Sequence, residues 1–290
     1  MRHLVNPLLD CPAWSSSNSQ IFLYRPLRKN IETMIANATK EGKILEASVY
    51  FRDLNNGPWF GINEDAPVRL GSLLKVPLVM GYLKAAETRA SLLSVRLALN
   101  DPSQLKLYDV QGIKSEKKLE VGKTYTIEEL LKRSIIFSDN VAAALLEKYD
   151  DHRALLQIAS ETDIPVRVGV PPWRPITLNE YAGFFRILYN SSFLNRENSN
   201  RLLSWLTRTT FREGLVGGVT EGVIVAHKFG EALADDKSTL NFTDCGIVYA
   251  PNFPYLVCIS VRGKQELDLV SAIKKVSSLL YKFATSQDRF

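Results

Sequence analysis

Three short stretches decide how this chain is read: Ser72-Leu73-Leu74-Lys75, Ser138-Asp139-Asn140 and Lys228-Phe229-Gly230, in that order. A serine and a lysine three positions apart on a helix lie on one face, about one turn from each other. That spacing sets an amine beside a hydroxyl. A serine hydroxyl is a weak nucleophile until a neighbouring base takes its proton. Ser72 is therefore the candidate nucleophile and Lys75 the candidate base. Burial and a second cation, Lys228, would each disfavour the charged form of Lys75, and only a neutral amine accepts a proton. Ser138 could relay a proton to a departing amine. Asn140 carries an amide able to grip a substrate amide, and Lys228 would attract a carboxylate.

Outward from Ser72 the chain is apolar nearly all round: Leu73, Leu74, Val76, Leu78, Val79, Met80, Tyr82 and Leu83. This predicts a buried central helix starting at Ser72, with Pro77 close enough to its start to be tolerated. Thr126-Ile127-Glu128-Glu129 reads as a capping box opening a helix through Ile136. Ser138-Asp139 then precedes a helix over Val141–Tyr149, a pattern that by itself is most often an N-cap. Further helices are expected at Arg153–Glu161, Leu178–Asn190 and Asn198–Leu206.

The two ends of the chain read differently. A helix over Arg25–Lys40 puts Leu27, Ile31, Met34 and Ile35 on one face. A strand follows near Ala47–Leu54, then the turn Asn55-Asn56-Gly57-Pro58 and a returning strand over Trp59–Ile62. After the glycine-rich Gly214–Gly222 come strands at Val223–Gly230, Cys245–Ala250 and Tyr255–Arg262, the last two joined through Pro251-Asn252-Phe253-Pro254. An amphipathic helix closes the chain at Glu266–Phe283. Strands at both ends and helices between predict an α+β fold: one antiparallel sheet, flanked by helices, with an all-helical lobe inserted. The boundaries so read are an arm at 1–20, an α/β lobe at 21–65 and 223–290, and a helical lobe at 66–222.

The chain has 290 residues, 46% hydrophobic and 23% charged, enough to bury a core without covalent staples. The net charge of +5 suits an anionic ligand or an anionic envelope but is too dispersed for nucleic acid. The cysteines Cys11, Cys245 and Cys258 are odd in number and outside any metal-ligand spacing. Cys245 and Cys258 therefore read as small buried hydrophobes. The histidines His3, His152 and His227 are scattered, so neither a metal nor a cofactor is expected. Met1–Gln20 lacks an apolar signal core, and no apolar run is long enough to span a membrane.

The three motifs, in their order and spacing, resemble those of the penicillin-recognising serine hydrolases, most closely class A β-lactamases. The resemblance runs from about Ile21 to the C-terminal helix. It implies the β-lactamase/penicillin-binding-like fold, with Ser72, Lys75, Ser138 and Lys228 catalytic and Asn140, Phe229, Gly230 and Glu231 facing substrate. By position in the family, the backbone N–H groups of Ser72 and Glu231 would form the oxyanion hole. The partner implied is a small β-lactam or a peptidoglycan-type peptide, bound by a monomer. An extracytoplasmic location, periplasm or cell envelope, is implied too, with a removed signal or membrane anchor upstream of Met1; a cytoplasmic protein is the alternative.

Two departures from the family stand out. Phe229 occupies the place where the family usually has Thr or Ser, a hydroxyl that commonly helps hold a substrate carboxylate. The deacylating glutamate of class A enzymes also has no counterpart. The corresponding stretch, Ile164-Pro165-Val166-Arg167-Val168-Gly169-Val170-Pro171-Pro172-Trp173-Arg174-Pro175, contains no acid. Glu161 and Asp163 precede it and Glu180 belongs to the next helix; Glu161 and Glu180 read as solvated helix charges. The expectation is acylation of Ser72 by β-lactams with slow deacylation. The alternatives are a peptidoglycan DD-peptidase or penicillin-binding-like protein, a non-catalytic β-lactam sensor, and an esterase or amidase on another substrate.

Overall fold

The computed structural model describes residues 4–5, 17–108, 118–166, 176–233 and 238–286, with the side chains of 17–23 left aside. Most of the expected N-terminal arm, Cys11, and residues 167–175 of the acid-free stretch fall outside that set. In chain order the elements are α1 (Ser17–Lys40), β1 (Glu46–Asp53), β2 (Trp59–Ile62), β3 (Pro67–Val68), α2 (Lys75–Thr88), β4 (Arg96–Ala98), β5 (Thr124–Thr126), α3 (Ile127–Ile136), α4 (Asn140–Asp150) and α5 (Arg153–Thr162). They continue with β6 (Ile176–Thr177), α6 (Leu178–Tyr189), α7 (Arg196–Leu206), β7 (Val225–Leu233), β8 (Leu240–Ala250), β9 (Phe253–Gly263) and α8 (Glu266–Thr285). The chain divides into two compact units.

The sheet unit comprises residues 17–71, then 176–186 and the described residues from Phe211 onward. Its five strands run antiparallel in the order β2-β1-β9-β8-β7, so the two ends of the chain meet in the middle of one sheet. The β1–β2 hairpin closes through the expected Asn-Asn-Gly-Pro turn, where Gly57 takes φ +86°, a conformation glycine adopts without strain. Buried Asp53 organises this turn. It accepts hydrogen bonds from the Asn55 backbone N–H (2.8 Å), the Asn56 side chain (2.9 Å) and the Tyr24 hydroxyl (3.2 Å). Helices α1 and α8 pack on each other and on the sheet. Aromatic contacts join them to the strands: Tyr24 sits 5.4 Å from Phe51 and 5.6 Å from Phe283, ring centre to ring centre. Cys245 and Cys258 lie directly opposite each other on β8 and β9 and form a disulfide, which corrects the reading of both as free hydrophobes. The odd cysteine count had pointed away from this pairing, yet direct cross-strand register sets these two side chains side by side.

The helical unit comprises the described residues Leu4–Val5, 72–166 and 187–210. At its centre is α2, with ten of its residues buried, as its all-round apolarity predicts. Gly81 lets α2 approach α5 so closely that a Cβ there would collide with the Ala154 carbonyl. The Tyr82 hydroxyl donates to the Leu146 carbonyl of α4 at 2.6 Å. The capping box opens α3 as expected, with Thr126 and Glu129 bonding each other's backbone N–H.

This unit is not purely helical, since β4 and β5 pair within it. It is also smaller than the lobe read at 66–222. β3 pairs with β6, and the Asn179 N–H donates to the Glu64 carbonyl, which ties 176–186 to the sheet unit. Phe211 packs at a tilt against the β7 and β8 residues Phe229 and Phe242, which ties the start of the next segment there as well.

Candidate active site

In the helical unit, Ser72 does not open the α-helix. It lies in a 3₁₀ turn, Gly71–Leu74, that runs straight into α2 at Lys75. Side chains three apart eclipse in a 3₁₀ turn, so the pair is tighter than α-helical spacing alone requires. Lys75 Nζ donates to Ser72 Oγ at 2.8 Å. The same amine reaches the Ser138 carbonyl at 2.6 Å, Asn140 Oδ1 at 2.6 Å and Ser138 Oγ at 3.3 Å. Thus Ser72, Lys75, Ser138 and Asn140 converge on one nitrogen, and Lys75 is only 5% exposed.

The donor arithmetic matters for the chemistry. An ammonium has three N–H bonds and no lone pair. A neutral amine has two N–H bonds, and here two oxygens, the Ser138 carbonyl and Asn140 Oδ1, can only accept. With both N–H bonds so engaged, the lone pair is left for Ser72 O–H. The arrangement therefore supports both the amine and the ammonium without moving a heavy atom. The Asn140 orientation is fixed on both sides, because Nδ2 donates to the Leu107 carbonyl at 3.3 Å.

The second motif is held by Asp139, a residue sequence reasoning treated as a cap and nothing more. It does cap α4, accepting from the Val141 and Ala142 N–H groups at 3.0 Å each. Its other oxygen accepts from Tyr108 Oη at 3.0 Å and from Arg133 Nε and Nη2 at 2.9 and 2.7 Å. The Tyr108 hydroxyl also accepts the Leu119 N–H at 2.9 Å. Burial, with Asp139 nearby, pushes that phenol up to about 12. So anchored, the preceding residue Ser138 is forced to φ +53° and is 1% exposed. A left-handed non-glycine residue costs roughly 1–2 kcal/mol, and the Asp139 network is what holds it there. Further along α4, Glu147 and Asp150 have carboxyls raised above the ordinary range, in both cases chiefly by burial.

In the sheet unit, Lys228, Phe229, Gly230 and Glu231 all lie on β7, which among the described residues is an edge strand paired with β8 alone. Lys228 has no exposed surface. Its Nζ donates to the Phe229 carbonyl at 2.8 Å and sits 4.1 Å from the centre of the Phe229 ring. That ring packs 4.7 Å from Phe211 and stacks on Phe242 at 6.0 Å. His227 Nδ1 pairs with Asp244 Oδ1 at 2.8 Å, and Asp244 Oδ2 accepts the Leu215 N–H at 2.9 Å.

Gly71, which directly precedes the candidate nucleophile, was also missed. It has φ +48°, and a Cβ there would overlap the Glu231 carbonyl oxygen. A glycine just before Ser-x-x-Lys was the only signal available. Of the flanking acids, Glu180 opens α6 through a reciprocal pair with Thr177, and Glu161 accepts from the Gln157 amide on the exposed face of α5. Among the described residues, no group of three or more His, Cys, Asp or Glu could hold a metal ion.

The model of the β-lactamase enzyme family matches residues 26–284. Comparison with curated proteins returned no match. Among solved structures, a β-lactamase from Chitinophaga pinensis is 18% identical, with a TM-score of 0.76 over 90% of this chain and 100% of that one. A class A β-lactamase from Mycobacterium abscessus is 19% identical, with a TM-score of 0.73 over 87% and 98%. PBP-A is 21% identical, with a TM-score of 0.72 over 89% and 95%, and a variant of it has been solved as an acyl-enzyme complex with penicillin G.

Proposed function

As the chain belongs to the β-lactamase enzyme family, we propose that it is a serine hydrolase of the class A type, acylated on Ser72 by β-lactams and slow to deacylate. The observation that carries this is Lys75 Nζ at 2.8 Å from Ser72 Oγ, with three further oxygens around it. Neutral Lys75 takes the Ser72 proton as Oγ attacks the lactam carbonyl carbon. The tetrahedral centre collapses with cleavage of the C–N bond. The leaving nitrogen receives a proton through Ser138 Oγ, which lies 3.3 Å from the Lys75 amine that can resupply it. Asn140 holds Lys75 in register.

Water must then attack the Ser72 ester. The stretch after the second motif carries no acid to activate it. General-base catalysis typically contributes roughly 10²–10⁴-fold, so deacylation is slow by about that factor relative to an enzyme that has such a base. The same absence favours a second reading, a penicillin-binding-type protein that acylates and holds its ester.

Intact-mass spectrometry with benzylpenicillin tests the nucleophile. Wild type gains the adduct, Ser72→Ala gains none, and equal labelling of both would reject Ser72. Pre-steady-state hydrolysis of a chromogenic cephalosporin tests turnover, with a burst near one equivalent expected before a slow phase. Fast turnover without a burst would reject the missing-base argument.

A further inference from the structure

We propose that Tyr108 is a positioning residue for acyl transfer: its hydroxyl seats the 3₁₀ turn Pro102–Tyr108 on the second motif, so that the Leu107 carbonyl turns the Asn140 amide with its oxygen toward Lys75. This rests on the reading of Ser72 as nucleophile and Lys75 as base, and every group involved belongs to the helical unit. An asparagine amide has two unlike ends, an oxygen that accepts and an NH2 that donates. Which end faces Lys75 decides what the amine can do. Oδ1, at 2.6 Å, takes an N–H and keeps the amide away from the lone pair that must receive the Ser72 proton. The reversed amide would donate into that lone pair and block the base. The two orientations have nearly the same shape, so a neighbour has to choose between them. The Leu107 carbonyl can only accept, and at 3.3 Å from Nδ2 it makes that choice.

Tyr108 fixes the carbonyl next to it in the chain. The residue is 3% exposed, and its hydroxyl carries two bonds whose directions cannot be exchanged. A carboxylate only accepts, as Asp139 does at 3.0 Å, and a backbone N–H only donates, as Leu119 does at 2.9 Å. Burial pushes the phenol up to about 12, so the donor persists across the working range of pH. Asp139 stands between Ser138 and Asn140 and caps α4. The contacts therefore close a ring. It runs from the Leu107 carbonyl to Asn140, along the chain to Asp139, across to the Tyr108 hydroxyl and back to Leu107. That closure keeps a long 3.3 Å bond in register. The other charges around these groups include Arg133 of α3, which bonds the same Asp139 oxygen, and Lys118, whose amine lies 5.3 Å from the Tyr108 ring centre. On α4, Glu147 feels the charge of Lys75. All three stay in place in the variants below.

Tyr108→Phe removes the hydroxyl and keeps the ring. Acylation of Ser72 by benzylpenicillin is followed across pH by quenched intact-mass spectrometry, and the second-order rate constant reports the base of the free enzyme. Its plateau should fall about tenfold, short of the roughly 10²-fold that a misplacement of about 1 Å can cost. Its acid limb should move down by about one pH unit, because the ammonium loses an acceptor and the reversed amide favours the neutral amine. Asn140→Ala removes the amide whose orientation is at issue. In that background Tyr108→Phe should change the plateau by less than about twofold and leave the limb in place. An unmoved limb in the single variant, with only a lower melting temperature, would overturn the proposal. So would an equal fall in both backgrounds. Hydrogen exchange on wild type, read by NMR, needs no variant to fold. The Asn140 side-chain amide should be protected, and exchange as fast as that of a surface asparagine would overturn the hold of the Leu107 carbonyl. No Ser72 adduct from wild type would overturn the acyl-transfer reading itself, and the role of Tyr108 in it, whatever the protection of the amide.

Discussion

Around Lys75, four oxygens from two helical motifs converge on one amine, and Asp139 pins the second motif with hydrogen bonds from four residues. Around Lys228, the partners include the strand's own carbonyl and a phenylalanine ring set in an aromatic cluster. The first cluster is defined by directional bonds, so each side chain is nearly irreplaceable. The second is positioned by strand register and packing, which fix where a backbone runs but leave the side-chain chemistry free to change. This contrast accounts for where the chain keeps its family motif and where it departs. Ser72, Lys75, Ser138 and Asn140 are intact, while the third motif carries Phe229.

The strongest way to break the helical cluster is at its centre. Lys75→Ala should lower the acylation rate constant by about 10²–10⁴-fold, the usual worth of a general base. Lys75→Arg should not rescue it, because a guanidinium is always protonated. Recovery of most of the rate in the arginine variant would show that charge alone is needed. Next comes the network beneath. Asp139→Ala leaves Arg133 without its buried acid, and breaking a buried pair costs about 3–5 kcal/mol. Urea melts should show a loss in that range, whereas a loss below about 1 kcal/mol would mean that capping alone is involved.

Gly71 tests the strand side. Gly71→Ala would force the chain before Ser72 away from Glu231, and misplacement by about 1 Å can cost 10²-fold. The loss should fall on the acylation rate and on affinity for a boronic acid that forms a tetrahedral Ser72 adduct. Undiminished boronate binding would contradict a positioning role. The smallest effect expected is at Glu147. Its raised carboxyl means that the folded state holds the proton more tightly than the unfolded chain does. Stability therefore falls as pH rises from the ordinary carboxylate range through the raised value. Glu147→Gln should melt slightly higher than wild type at neutral pH, with the gap closing toward pH 4. A variant that melts lower at neutral pH would show that the attraction of Glu147 to His152 and Lys75 outweighs burial.

Much of this architecture was legible from local signals that agree with tertiary structure. The Asn55–Pro58 turn, the Thr126–Glu129 capping box and the all-round apolar run after Lys75 each state their structure in a few residues. The pair Ser72 and Lys75 was legible for the same reason, since spacing alone puts one beside the other, whereas Ser138 and Asn140 were legible through the order of the three motifs. What stayed hidden depends on partners distant in sequence. Asp139 reads as a cap until Arg133 and Tyr108 arrive from α3 and from the 3₁₀ turn at Pro102–Tyr108. Cys245 and Cys258 read as hydrophobes until β8 and β9 fall into register. Gly71 has no periodicity to betray it, since its importance lies in an absent Cβ. The segment 176–186 looks like any helix of the middle region, and the short β3–β6 pairing and the Asn179–Glu64 backbone bond assign it to the sheet unit.

The left-handed backbone at Ser138 sets up a conflict between two kinds of selection. Glycine at that position would relax the φ angle, while serine keeps the hydroxyl within reach of Lys75. A library selected only for heat resistance should therefore drift to glycine at 138 and give up acyl transfer as it does so. One selected for β-lactam acylation should hold serine and gain its robustness elsewhere. Sequencing the two pools at this single codon would report whether the residue persists for the fold's sake or for the reaction's.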